Sequence, residues 1–194
     1  MIGGRVTDLA VSTAQVDFTA SVERHERDLY VFLRGMVAHA EQARDLLQET
    51  FYDAWRAANR GTPPFQPGHP EVEMRRWLYH AAYCRAVSAL RRRRLLRWES
   101  LDQAGVPEVD ALPHTERFEE RIAEQEALAT ALKELSTADA ACLLLIVVHG
   151  FTAADAGRVL NASPQAVAKR LSRAKQRLLA LYLAHNPGWE ANHT

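Results

Sequence analysis

The stretch TAADAGRVLNASPQAVAKRLSRAKQRL, residues 152 to 178, reads as two short helices joined by a tight turn. Thr152 followed three residues later by Asp155 opens the first helix as a capping box, hydroxyl and carboxylate each able to satisfy an orphan backbone N–H. Ala156, Val159 and Leu160 give that helix a small apolar face. Asn161 stands where the chain must turn, and Asn is the non-glycine residue best suited to a left-handed conformation. Ser163 and Pro164 are an N-cap and first-turn pair for the second helix. There Val167, Leu171, Ala174 and Leu178 recur at i, i+4, i+7 and i+11, one stripe at the helical period. Gln165, Lys169, Ser172, Arg173 and Gln176 project roughly opposite. This is the outline of a helix-turn-helix, which buries one side of its second helix and lays amide, hydroxyl and cationic groups along a DNA major groove. The plainer alternative is a helical hairpin with a solvated basic face.

A chain of 194 residues, 47% hydrophobic and 25% charged, has room for one domain or two small ones and for a real core. Its net charge is zero, which argues against binding nucleic acid through bulk charge. The charge is nevertheless segregated: Arg clusters at 91 to 97 and 170 to 177, while acids gather at 108 to 126. Cys84 and Cys142 lie far apart within helical patterns and without CxxC spacing, so both are expected as reduced thiols. No signal peptide and no apolar run near the roughly 20 residues of a membrane span is present, which predicts a cytoplasmic protein without membrane insertion. The eight histidines show no ligand spacing, and no P-loop, Rossmann glycine pattern or nucleophile elbow occurs. These features predict no enzyme, no catalytic residue, no metal, no cofactor and no small-molecule substrate.

Working outward, residues 1 to 16 read as a loose tail. Helical periodicity starts at Phe18 and runs to a break near Ala38 and His39, with Val22, Leu29, Phe32, Leu33, Met36 and Val37 on one face. A second helix, from about Glu41 to Asn59, turns Ala43, Leu46, Leu47, Phe51, Ala54, Trp55 and Ala58 inward. Its other side carries Asp45, Gln48, Glu49 and Tyr52 at i, i+3, i+4 and i+7, a stripe of a kind that is usually only solvated surface. GTPPFQPGHP, residues 61 to 70, cannot be helical and isolates Phe65 in a loop, either tucked beneath it or offered to something that stacks.

A third helix spans about Val72 to Arg97, with Trp77, Leu78, Ala81, Ala82, Val87 and Leu90 inward and Arg91 to Arg94 and Arg97 at its end, more cations than the helix dipole needs. The acidic, proline-containing stretch after it is a linker of roughly 20 residues, able to reach about 70 Å at ~3.3–3.6 Å per residue, near two turns of DNA. Helical periodicity resumes at Glu116, and Ser136 with Asp139 opens a helix over 137 to 148 whose LLLIVV centre is expected to be buried, with Gly150 ending it. No segment reads as strand. The fold class is therefore all-α: two small helical domains joined by a flexible acidic linker, the C-terminal one containing the helix-turn-helix.

Taken together, DLLQETF (45 to 51), RRWLYHAA (75 to 82), the arginine run, the acidic linker and HGFTAADAGRVLNASPQAVAKRLSRAKQRL (149 to 178) resemble a bacterial RNA polymerase sigma factor of the extracytoplasmic-function (ECF) subfamily. The resemblance covers about residues 18 to 182 and implies a tail (1–16), a region-2 domain (17–97), a linker (98–115), a region-4 domain (116–184) and a second tail (185–194). It implies that Asp45, Gln48, Glu49 and Tyr52 dock on core RNA polymerase. Phe65, Arg75, Arg76, Tyr83, Cys84, Arg91, Arg92, Arg93 and Arg94 would meet the minus-ten element of promoter DNA, where a base leaves the stack. Gln165, Lys169, Arg170, Ser172, Arg173 and Arg177 would read the minus-thirty-five element as duplex. An anti-sigma factor is the further partner implied.

The chain departs from the family in four places. Cys84 and Ser88 stand where Asn and Asp are common, Ala140 replaces a common Arg, and Gly157 replaces Ala at a cost of about 1 kcal/mol in helix propensity. The alternative function is a sigma mimic or helix-turn-helix regulator that binds an anti-sigma factor or operator without initiating transcription.

Overall fold

A computed structural model describes residues 20, 23–37, 39–62, 65, 71–99 and 126–186. The first tail, residues 187–194 of the second, most of the proline-rich loop and residues 100–125, which hold most of the linker, lie outside the described residues. In order come α1 (23–37), α2 (Ala40–Asn59), α3 (Glu71–Glu99), α4 (126–134), α5 (Thr137–Leu143), a π-helical turn (Leu144–Val148), α6 (Ala153–Leu160) and α7 (Pro164–His185). No strand occurs among the described residues.

Helix α1 buries Leu29, Phe32, Leu33, Met36 and Val37, the i, i+3, i+4 face that periodicity predicts. Helix α2 answers with Ala43, Leu46, Leu47 and Ala54, and its buried Thr50 hydroxyl donates to the Leu46 carbonyl at 2.7 Å. Two more backbone bonds finish α2: Gly61 N–H to Ala58 and Thr62 N–H to Ala57. With Gly61 at φ 63°, this is a Schellman ending, and it supplies the helix stop that the glycine and prolines announce. Trp55, expected inward, is 45% exposed. It lies one position beyond Ala54, on the flank of the α2 face, and stacks on Tyr52 at 5.9 Å instead.

In the C-terminal half, every predicted cap is present. Ser136 accepts from Asp139 N–H, Thr152 from Asp155 N–H and Ser163 from Ala166 N–H, while Asn161 takes φ 52° and ψ 51°. One detail differs at Thr152. The Asp155 carboxylate accepts the Thr152 hydroxyl proton at 2.7 Å rather than a backbone N–H, which leaves its other oxygen for a distant partner.

The LLLIVV run also departs from expectation. Leu143, Leu144 and Leu145 are buried, but Val147 and Val148 are 58% and 54% exposed. The reason is the π-turn: His149 N–H reaches back five residues to Leu144, and the widened turn carries the last two valines to the surface before Gly150, at φ 66°, ends the element. Gly157 is more than a propensity cost. A Cβ there would come within 2.6 Å of the Ala162 carbonyl oxygen, so the close turn between α6 and α7 requires its absence.

The two helical bodies pack against each other. They share one core, in which Leu29, Phe32, Leu78 and Tyr79 of the first join Leu145, Phe151, Val159 and Val167 of the second in a continuous apolar cluster. Leu135, Ala140, Leu143 and Ala174 form a smaller cluster between α5 and α7, where Ala140 is buried. At Gly35 on α1 a Cβ would stand 2.7 Å from Leu144 of the π-turn, so the bodies meet closely.

Candidate functional site

Three surfaces carry the residues singled out from the sequence. On α2, Asp45, Gln48 and Tyr52 are exposed along one line of the helix. Glu49, between them, is committed within the chain: Arg85 of α3 donates from Nη1 to its Oε2 at 2.8 Å and from Nε to Asp53 Oδ2 at 2.9 Å. Those bonds, led by the one to Asp53, raise the Arg85 guanidinium above its ordinary value. Arg85 therefore fixes α2 against α3. Arg56 lies 5.8 Å from the Tyr52 ring centroid, beside the Tyr52 and Trp55 stack. Next to this face a groove of about 440 Å³ opens between α1 and α2, lined by Glu23, Arg27, Tyr30, Arg44, Leu47 and Gln48.

The second surface is α3 and the loop before it. Phe65 is half-buried, its ring edge-to-face with Trp77 at 4.9 Å, so one side of the loop aromatic is packed while part of it stays open. Arg75, Arg76 and His80 point at the second helical body. Arg75 donates to the His149 carbonyl and lies 4.2 Å from the Phe151 ring centroid. Arg76 Nη1 is 2.9 Å from Asp155 Oδ1, and His80 Nδ1 is 2.7 Å from the Val159 carbonyl oxygen. Since a carbonyl only accepts, His80 carries its proton on Nδ1, and Nε2 offers a lone pair to the Cys84 thiol 3.6 Å away. Burial raises the Cys84 thiol above its ordinary value and does the same to the Tyr83 phenol. Cys84 is exposed, Tyr83 half-buried, and Arg91, Arg92, Arg93 and Arg94 are exposed on the following turn.

The third surface is the outer face of α7. Gln165, Lys169, Ser172, Arg173 and Arg177 are all exposed, while Val167 and Ala174 are buried beneath them. Arg170 is half-exposed, with Nε 3.5 Å from Asp139 Oδ1, and so ties α7 to α5. Cys142 is buried under the same helix, where its thiol donates to the Val167 carbonyl at 3.6 Å.

Sequence reasoning missed Tyr79, His149, His80 and the second task of Asp155. Tyr79 is fully buried; its hydroxyl lies 3.0 Å from His149 Nδ1, and its ring packs edge-on to Phe32 and Phe151. Burial raises the Tyr79 phenol far above its usual range and lowers the His149 imidazole. A signal existed: Arg76, His80 and Cys84 recur at i, i+4 and i+8, and Arg75 and Tyr79 at i and i+4, a polar stripe on a helix otherwise read by its apolar face. Among the described residues no group of three His, Cys, Asp or Glu side chains is placed to hold a metal ion, and no helix is long and apolar enough to cross a membrane.

A family model described as Sigma-70 region 2 matches residues 21–95, and one described as Sigma-70, region 4 matches residues 125–178. The chain is similar to the RNA polymerase sigma factor CnrH of Cupriavidus metallidurans, 27% identical over 179 residues, which are 89% of this chain and 90% of that protein. It is also similar to the ECF RNA polymerase sigma factor SigM of Mycobacterium tuberculosis, 28% identical over 171 residues, 88% of this chain and 80% of that one. Two solved structures share the fold. The sigma factor RpoE of Bartonella quintana, bound to the anti-sigma factor NepR, matches with a TM-score of 0.65 at 24% identity, over 85% of this chain and 96% of that one. CnrH in complex with the cytosolic domain of CnrY matches with a TM-score of 0.61 at 27% identity, over 91% and 96%.

Proposed function

Since the chain belongs to the sigma-70 family, as an RNA polymerase sigma factor of the extracytoplasmic-function subfamily, we propose that its three surfaces divide the work of initiation in the cytoplasm, with no covalent chemistry of their own. Asp45, Gln48 and Tyr52, flanked by Glu49, dock on the core enzyme. Phe65, Arg75, Arg76, Tyr83, Cys84 and Arg91 to Arg94 serve the minus-ten element, the arginines on phosphates and the ring and thiol near the unstacked base. Unstacking costs a few kcal/mol, which contacts to the freed base offset. Gln165, Lys169, Arg170, Ser172, Arg173 and Arg177 serve the minus-thirty-five duplex. The working units are residues 17–97 and 116–184, with 98–115 between them. Solved relatives held by NepR and by the cytosolic domain of CnrY support an anti-sigma factor as a further partner.

The observation that carries the reading is α7, where one stripe is buried and five amide, hydroxyl or cationic residues remain open on the other side. Run-off transcription tests it: purified core polymerase plus this chain starts RNA at a promoter found by sequencing the DNA recovered with the complex. Binding to core without start-site choice would instead make the chain a sigma mimic. Docking is tested by Asp45→Lys with Gln48→Glu, which leaves circular dichroism unchanged and abolishes core binding. Glu49 is a poor probe, because its loss also removes one of the bonds by which Arg85 holds α2 to α3.

A further inference from the structure

Two histidines keep their Nε2 atoms buried without a hydrogen-bond partner: His25 on α1 and His149, just after the π-turn. Arg75 of α3 acts on both rings; it also donates to the His149 carbonyl and to the Tyr79 phenol oxygen. The fully buried Tyr79 O–H needs an acceptor of its own and finds it in His149 Nδ1, 3.0 Å away. His149 is therefore neutral, with its proton on Nε2. A second proton at Nδ1 would set donor against donor between the two bodies, and the Tyr79 hydroxyl would lose its acceptor.

The surroundings of both rings oppose charge in the same way. His149 faces Arg75 and Tyr79 from α3 and Asp28 from α1, and lies edge-on to Phe32 at 5.9 Å. His25 faces Glu71 and Arg75 from α3, with Arg24 and Asp28 on its own helix. Glu71, 3.6 Å from His25 Nε2, is already paired with Arg24. Charging both imidazoles would add two cations beside Arg75, where burial already holds each ring below its ordinary 6.5. The neighbouring bridges behave differently: Arg76 meets Asp155 and His80 the Val159 carbonyl, the partners standing four residues apart on α3 and on α6 alike. The Thr152 hydroxyl and Arg76 hold Asp155 below its ordinary 3.8, so mild acid leaves that ion pair charged.

We propose that His25 and His149 make the contact between the two bodies an acid-sensitive joint, closed while both imidazoles are neutral and parted, with each body still folded, once both take a proton. The joint is a property of the free chain, whatever α3 and α7 bind. Parting releases both rings to water, where they take protons at the ordinary value, while the closed form resists until lower pH. The open-to-closed ratio therefore rises as pH falls below 6.5. It does so by up to about a hundredfold per pH unit for two protons and about tenfold for one.

The test follows the full chain by small-angle X-ray scattering from about pH 7.5 to about 5, with far-UV circular dichroism on the same samples. The radius of gyration should rise in acid while helicity holds. The steepness should approach two protons in the parent, fall to about one in His25→Gln and in His149→Gln, and the transition should vanish in the double variant. Gln at 149 keeps an acceptor for the Tyr79 hydroxyl without the titrating ring. A readout that needs no variant at 149 to fold is imidazole NMR of the parent, with His25 assigned through His25→Gln. The two buried rings should titrate below 6.5 and in step with the expansion. The proposal is overturned if the parent stays compact throughout, if helicity is lost together with the expansion, if the double variant expands as the parent does, or if no ring titrates below the ordinary value.

Discussion

Helices α3 and α7 both carry an apolar stripe and a polar, cation-rich one, yet they use the polar stripe in opposite ways. On α7 the polar residues face solvent, and nothing but the periodicity is needed to place them. On α3 the polar residues Arg75, Arg76 and His80 are occupied by oxygens more than 70 positions away in sequence, and Tyr79 is buried among them. A helix packed on one side can be read from its pattern. A helix packed on two sides cannot, because its second partner is invisible locally.

The sharpest way to break the comparison is Tyr79→Ala against Arg173→Ala. Removing the fully buried Tyr79 ring should cost about 3–5 kcal/mol in urea unfolding, since it empties the seam between the bodies. Removing Arg173, exposed on α7, should leave stability within ~0.5 kcal/mol and cost about 1–3 kcal/mol in duplex promoter binding, with specificity relaxed at one position. A uniform loss across sequences, with the salt slope lowered by about one, would make Arg173 a phosphate contact only. Ser163→Ala should cost ~1 kcal/mol of stability through the lost cap on Ala166 N–H, measured by thermal melting; no loss would mean that the α7 start is held by packing alone.

The smallest effect is a pH slope. Burial is the first cause lowering His149 from its ordinary 6.5, with Arg75 adding to it and Asp28 opposing; the ring packs edge-on to Phe32 and Tyr79, and Nε2 is buried without a partner. Below about 6.5 the unfolded chain takes the proton first, so stability falls as pH drops from there toward the depressed folded value. Above that window both states are neutral and the contribution vanishes. His149→Gln should flatten the slope in part, leaving the share of His25, which burial lowers in the same sense. An unchanged slope would remove His149 as the responsible group.

The residues that were legible share one property: their partners are near in sequence. The caps at Ser136, Thr152 and Ser163 and the left-handed Asn161 depend on contacts within a few residues, and all are found. Most misreadings are local too, but turn on backbone geometry or ring contacts that periodicity does not carry. Val147 and Val148 are exposed because a π-turn shifts the phase of the helix, Trp55 because a neighbouring tyrosine receives it, and Gly157 is required by a carbonyl across a turn. At the candidate site the residue types on α2 and α7 were legible from spacing. The neutralising partner of Arg76 was not, because Asp155 already had a sufficient local explanation as a cap.

The equal spacing on α3 and α6 has a mechanical corollary. Sliding one helix by a single turn, about 5.4 Å, would set Asp155 beside Val72 and Arg76 beside the Val159 carbonyl, leaving the carboxylate facing an isopropyl group. A one-turn slip in that direction therefore strips the seam of its ion pair.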